Sequence, residues 1–287
     1  MDLEALAKYI IQEDTVDPKG YLPPGDHSSL ACIPEDAINQ ARLRIKEAGF
    51  LAGTHAAKAI FNQVDPQLSI TDHLADGTYV EPGDIAFTVS GKARSILTAE
   101  RSVLNIMQRM SGIASVTAQY AQALEGTGVR VLDTRKTIPG LRMLDKEAVR
   151  IGGGTNHRLG LYDMILLKDN HVDYAGGIAN AIRATKSYLD NKELDLEIEL
   201  EVRSFIELQE ALDEGGIHRV MLDNFDPSDI AEAVNMVNGR FTIEVSGGIT
   251  LATIRSYALK GVDYISVGAI THSARGLDMS LKADVER

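Results

Sequence analysis

The sequence has a single cysteine, Cys32, in 287 residues, which excludes an intrachain disulfide and any cysteine-based zinc site and suits a reducing compartment. A buried thiol is its expected role. Positive charge is also scarce: 41 Asp and Glu stand against 29 Lys and Arg, a formal net charge of −12. A net anionic surface repels a phosphate backbone, so general nucleic-acid binding is excluded as a class. No run of about 18 apolar residues occurs, and the opening Met1-Asp2-Leu3-Glu4 lacks the basic and apolar stretches of a secretory leader. A cytoplasmic protein with no membrane partner is expected.

What is present is ordinary globular chemistry. Hydrophobic residues make up 44% and charged residues 24%, enough for a large core plus a smaller partner domain. Leu3 to Ile11 has helical apolar spacing and runs into the turn-rich Asp17 to Gly25, which predicts a helix and then a loop. From Phe50 to Ile96, short β-rich runs such as Ile85 to Val89 alternate with turn signals, as in a small antiparallel sheet. The segment Gly77 to Val89 faintly resembles a biotinyl or lipoyl hairpin, but Lys92 is not in the tight turn such carriers need, and a plain hairpin is the simpler reading. Thr98 to Tyr120 reads as one or two helices, with a domain boundary inside it.

After Gly128 the pattern changes to apolar strands alternating with helices, the mark of stacked βα units and a parallel sheet. Six strands are expected: Val129–Thr134, Asp163–Lys168, Leu196–Val202, Arg219–Asp223, Phe241–Ser246 and Tyr264–Gly268. They end at Arg135, Lys168, Glu201, Asp223, Ser246 and Gly268, at intervals of 33, 33, 22, 23 and 22 residues. Active sites of α/β barrels gather at such carboxyl ends. Period two puts Glu197, Glu199 and Glu201 on one strand face, pointing into the barrel.

Three constellations carry chemistry. Ser246-Gly247-Gly248 after one strand and Gly268-Ala269 after the next suit a phosphate cradle, since backbone N–H groups approach closely where no Cβ intervenes. The segment Thr250 to Lys260 between them is expected to be helical. Between Arg135 and Lys168 there are seven basic and three acidic residues, a cationic pocket in an acidic protein. Guanidiniums in that stretch fit carboxylates or phosphates in two-pronged geometry. Glu201 and Asp223, on successive strands, could hold Mg²⁺ or ribose hydroxyls, or simply neutralise Lys168 and Arg158. A lysine closing a barrel strand, as Lys168 does, also suits a Schiff-base aldolase. His27, His55 and His73 lie outside these motifs and are assigned no role.

Read together, Asp133 to Arg142, Gly152 to Arg158, Leu167 to His171, Glu199 to Val202, Leu222 to Phe225 and Ser246 to Gly248 resemble quinolinate phosphoribosyltransferase. Glu100 to Asn105, Ser111 to Ala114 and Gly268 to Ser273 extend the likeness over roughly residues 98 to 280. The resemblance implies an incompletely closed six-stranded α/β barrel over residues 111–272. It adds an α+β sandwich domain over residues 1–110, joined by a C-terminal helix at 273–287. It implies conversion of quinolinate and phosphoribosyl pyrophosphate to nicotinate mononucleotide, pyrophosphate and CO₂ with Mg²⁺, in NAD biosynthesis. A relative acting on nicotinate or another ring acid without decarboxylation is the alternative.

By the same resemblance, Arg135, His157, Arg158 and Lys168 surround the quinolinate carboxylates, and Arg101 reaches the site from a partner subunit of a homodimer or hexamer. Lys136 serves the anionic sugar donor, and Glu201 and Asp223 hold its ribose and the metal. Ser246, Gly247, Gly248, Gly268 and Ala269 form the 5′-phosphate cradle. Lys136, Lys168, Glu201 and Asp223 are then the catalytic set.

Overall fold

The structure is a computed structural model describing residues 2–284. It divides into two compact units, one of Met1–Val116, Ile138–Gly152 and Ala274–Arg287, the other of Thr117–Thr137 and Gly153–Ser273. The dividing point falls inside a helix, α4 (Ala93–Ala123), as the sequence pattern suggests, but at 116/117 rather than 110/111. Residues 138–152, expected with the barrel, cluster with the first unit instead.

The first unit opens with α1 (Leu3–Thr15), which Asp2 caps by accepting from the Ala5 amide. Then follow α2 (His27–Cys32), β1 (Ile38–Ile45), β2 (Gly49–Phe50), α3 (Thr54–Val64), β3 (Ser69–Asp72), β4 (Tyr79–Val80) and β5 (Ile85–Lys92), ahead of α4. Ala41, Leu43 and Ile45 alternate inward along β1. Ala56, Ala57, Ile60 and Phe61 form the buried stripe of α3, with Phe61 edge-on to Phe87 at 6.0 Å between ring centres. Burial of a side chain the size of Ile60 or Phe61 contributes about 1.5–3 kcal/mol. A strand from the end of the chain, Met279–Ala283, pairs antiparallel with β1 and completes a sheet in which β5 and β3 follow.

Four expectations need correction here. The C-terminal segment is that strand rather than a helix: Met279 and Leu281 alternate inward, and 285–287 lie outside the described residues. Gly77 to Val89 is no hairpin, because β4 pairs with β2 while β5 pairs with β1 and β3. The 50–96 region holds a helix, α3, among its strands. Cys32 is exposed, its thiol turned back to the Ser28 carbonyl at 3.1 Å.

After α4 come β6 (Arg130–Leu132), α5 (Arg142–Ile151), β7 (Ile165–Leu167), α6 (Asp169–Ala175), α7 (Ile178–Lys192), β8 (Ile198–Val202), α8 (Phe205–Glu214), β9 (Arg219–Asp223), α9 (Ile230–Val237), β10 (Thr242–Ser246), α10 (Ile254–Tyr257), β11 (Tyr264–Ser266) and α11 (Ala269–His272), before β12, the strand Met279–Ala283. Among these, α5 and β12 belong to the first unit. The six expected strands form one parallel sheet in the order β6-β11-β10-β9-β8-β7. End strands β6 and β7 share no ladder among the described residues, so the barrel is not closed. Outside the named strands, Thr155 makes a parallel bridge to Leu132 beside β6.

Outward-facing Ile198, Leu200 and Val202 on β8 are at most 2% exposed, and α8 buries Leu208, Ala211 and Leu212. On the opposite face of β8, Glu199 and Glu201 turn inward and are buried. Glu197 does not join them: the strand begins one residue later, and Glu197 is exposed at its amino end. Between β10 and β11, only the four residues of α10 are helical, flanked by turns, so Thr250 to Lys260 is not one helix.

Candidate active site

At the carboxyl ends of the barrel strands lies a cavity of about 880 Å³. Arg135 and Lys136 enter it just after β6, His157 and Arg158 from the loop before β7, and Lys168 from the end of β7. Glu201 and Asp223 come from β8 and β9, Ser246, Gly247 and Gly248 follow β10, and Gly268 and Ala269 follow β11. Residues as far apart in the chain as Thr134 and His272 thus share one volume. Four of the seven basic residues counted in the sequence line it. Arg142, Lys146 and Arg150 sit on α5 in the first unit and do not. Arg101, exposed on α4, is not among the lining residues either.

The cationic side is arranged for an anion. Burial, and then the neighbouring charge of Arg135, lower the Arg158 guanidinium's proton affinity. The Arg135 Nε is buried without a hydrogen-bond partner among the described residues. Two like charges brought together, with a donor left over, are stabilised by a bound carboxylate or phosphate. Lys168 Nζ stands 3.2 Å from Glu201 Oε2, so one acid of the pair does neutralise a lysine. Asp223 Oδ2 accepts from the Asn224 side-chain Nδ2 at 2.6 Å.

Elsewhere on the cavity wall the chain approaches as bare backbone. Gly247 has φ +104 and packs so tightly on Asn224 that a Cβ would lie 2.2 Å from its Oδ1; Gly248, at φ +59, faces open space. Both conformations favour glycine, and the second leaves a cradle that a side chain would fill. Lys136 and His272 bracket Gly268, while the Thr271 hydroxyl donates to the Lys136 carbonyl at 3.0 Å.

His157 differs from the rest of the set. Its ring is buried, with Nε2 2.9 Å from Glu199 Oε2 and 3.5 Å from Glu244 Oε2. Both carboxyls are fully buried. Burial first, then the facing Glu199, push the Glu244 carboxyl up to about 7, and burial likewise raises Glu199. Arg219 donates to Glu244 at 3.0 Å. Glu244, Ser266 and His272 line the cavity and were not singled out from sequence. Glu244 alternates with Ile243 and Val245 as Glu199 does with its neighbours, so the period-two signal was available for it.

Fold and cavity together define an α/β barrel that collects in one place groups chemically suited to carboxylates and phosphates. The family model described as the Quinolinate phosphoribosyl transferase, C-terminal domain, matches residues 113–282, and the corresponding N-terminal domain matches residues 26–111. The likeness therefore reaches well into the first unit. The chloroplastic nicotinate-nucleotide pyrophosphorylase [carboxylating] of Arabidopsis thaliana is 44% identical, covering 99% of this chain and 84% of that protein. A probable nicotinate-nucleotide pyrophosphorylase [carboxylating] of Bacillus subtilis is 35% identical, covering 98% and 93%. The solved structure of NadC from Streptococcus pyogenes superposes with a TM-score of 0.89 at 37% identity, covering 98% of this chain and 95% of that one. The chain belongs to the quinolinate phosphoribosyltransferase family.

Proposed function

We propose that this chain joins quinolinate to phosphoribosyl pyrophosphate and releases pyrophosphate and CO₂, forming nicotinate mononucleotide for NAD synthesis. The observation that carries the reading is one cavity lined both by Arg135, Arg158 and Lys168 and by the open Gly247-Gly248 backbone. An acid with two carboxylates suits the first, and a sugar phosphate suits the second.

In this reading the guanidiniums and Lys168 hold the ring acid so that its nitrogen faces C1 of the ribose. As the C1–O bond to pyrophosphate breaks, positive charge grows on the ribose, and the carboxylates of Glu201 and Asp223 stabilise it. Lys136 neutralises the departing anion. The nitrogen's lone pair forms the new C1–N bond, and the pyridinium then accepts the electron pair left when the neighbouring carboxylate departs as CO₂; a proton takes its place on the ring. Positioning is the protein's main contribution.

Glu201 and Asp223 offer hard carboxylate oxygens at the cavity wall, the donor type Mg²⁺ takes together with substrate phosphates and water. We assign them to such an ion, which when bound would neutralise pyrophosphate charge. The working unit is proposed to be a homodimer in which Arg101 serves the neighbour's cavity. Among the described residues, no helix is long and apolar enough to cross a membrane, and the single cysteine suits the reducing cytoplasm we assign to it.

The test is to supply carboxyl-labelled quinolinate, or nicotinate, with phosphoribosyl pyrophosphate. One CO₂ per nicotinate mononucleotide from quinolinate, with no turnover of nicotinate, is expected. Turnover of nicotinate with no CO₂ from quinolinate would reject the reading.

A further inference from the structure

Beneath the cavity, the second unit carries a ladder of buried charged groups that the chemistry above leaves unused. A barrel interior is ordinarily filled by branched apolar side chains. Here β8 and β10 turn Glu199 and Glu244 inward, both at 0% exposure, and β9 supplies Arg219. Arg219 donates to Glu244 at 3.0 Å and stacks on the Tyr264 ring at 4.8 Å. Buried ion pairs of this kind are weak contributors to stability compared with an apolar filling, so their placement calls for another account.

The ladder ends on His157, and the ring hands it on to the substrate side. His157 Nδ1 accepts the Arg158 amide at 2.7 Å, and the His157 amide donates to the buried Asp133 carboxylate at 2.8 Å. An acceptor at Nδ1 puts the ring proton on Nε2, the nitrogen 2.9 Å from Glu199. Nδ1 is thus engaged by a hydrogen bond while Nε2 lies within ion-pair range of Glu199 and Glu244, and the peptide that precedes the Arg158 side chain is fixed from both sides. Arg158 itself goes on to the cavity, its Nη1 donating to the Met164 carbonyl at 3.3 Å.

We propose that Glu199, Glu244 and Arg219 are positioning residues that act through the His157 ring to set where the Arg158 guanidinium meets the acid substrate. The inference rests on the reading of Arg158 as a carboxylate-binding group.

The experiment measures quinolinate affinity by calorimetry and steady-state constants for both substrates. Glu199→Gln and Glu244→Gln should weaken quinolinate binding on the order of 10- to 100-fold, the scale of a misplaced binding group. The KM for phosphoribosyl pyrophosphate should stay within about twofold of wild type. In an Arg158→Ala background Glu199→Gln should cost nothing further. His157→Asn, whose side-chain oxygen stands near the Nδ1 position, should recover part of the affinity that His157→Leu loses. Unchanged affinity in both Gln variants, or an equal loss with and without Arg158, overturns the proposal. If the unaltered enzyme binds no quinolinate, the functional reading is what has failed. The ladder is then judged by ¹⁵N NMR of the His157 ring, where an Nδ1–H tautomer overturns it and a bare Nδ1 that changes in Glu199→Gln supports it.

Discussion

Lys168 Nζ and Glu201 Oε2 stand 3.2 Å apart where β7 and β8 end side by side at the cavity. The pair holds an ammonium beside the carboxylate assigned to the ribose, so the two side chains should fail differently when changed. Lys168→Ala should mainly raise the KM for quinolinate, whereas Glu201→Gln should lower kcat by about 10²–10³, the cost of one preorganised charge lost from the transition state. Initial-rate kinetics separate the two. Borohydride added during turnover should leave Lys168 unmodified, since no Schiff base is involved.

Gly247 and Gly248 are adjacent, yet alanine should act on different properties at each. At Gly247 a Cβ would meet Asn224 at 2.2 Å at φ +104, a strained position costing about 1–3 kcal/mol of fold stability. At Gly248 the space is open. Alanine there should lower the melting temperature less and raise the KM for phosphoribosyl pyrophosphate roughly tenfold, about the worth of one hydrogen bond to a charged group. Thermal unfolding and kinetics on the two variants check the contrast.

In the first unit His55 links two acids, with Nδ1 3.6 Å from Asp76 and Nε2 3.2 Å from Glu147. Asp76 also accepts the Gly53 and Thr54 amides at the start of α3. The Asp76 contact, and then Glu147, hold the His55 imidazole above its ordinary 6.5 against the opposing effect of partial burial. Burial raises Asp76, but His55 and the two amides outweigh it and leave it below 3.8. The histidine's contribution is therefore complete below pH 6.5 and lost as pH rises through its higher folded value. The Asp76 contribution is complete above pH 3.8 and lost as pH falls through its lower one. Urea midpoints of wild type and His55→Gln should differ most between these limits and converge at alkaline pH.

Arg101 is exposed on α4 and Lys136 lines the cavity. If neighbouring subunits share each site, Arg101→Ala and Lys136→Ala proteins, each inactive alone, should together regain activity. Random exchange in a two-fold dimer leaves about a quarter of the sites intact. No recovery after proven exchange would remove the shared site.

The barrel strands were legible because each joins an apolar run to a polar ending, and those endings, Lys168, Glu201, Asp223 and Ser246, are the residues that line the cavity. The first unit was less so. Its sheet is assembled from distant pieces, β1 beside both β5 and β12, and short segments show no partner in the sequence. Met279 and Leu281 alternate as a strand should, but five residues are too few to decide between a strand and a helix end. The Gly77 to Val89 stretch has hairpin spacing, yet its two strands each pair elsewhere. Glu244 alternates with Ile243 and Val245, but one acid in a strand gives a weaker signal than the Glu197, Glu199, Glu201 series, and its meaning emerges where the barrel brings it and Glu199 to the same histidine.

The gap between β6 and β7 is partly filled by the stretch at Thr155, whose amide donates to the Val131 carbonyl at 2.9 Å and whose carbonyl accepts the Asp133 amide at 3.1 Å. Two residues later the same stretch presents His157 and Arg158. The stretch proposed to hold the acid is therefore also a stave of the wall, and loosening one frees the other. An occupied stretch should shield the Thr155 and Asp133 amides from solvent exchange, which makes ligand capture and the sealing of the barrel a single mechanical event.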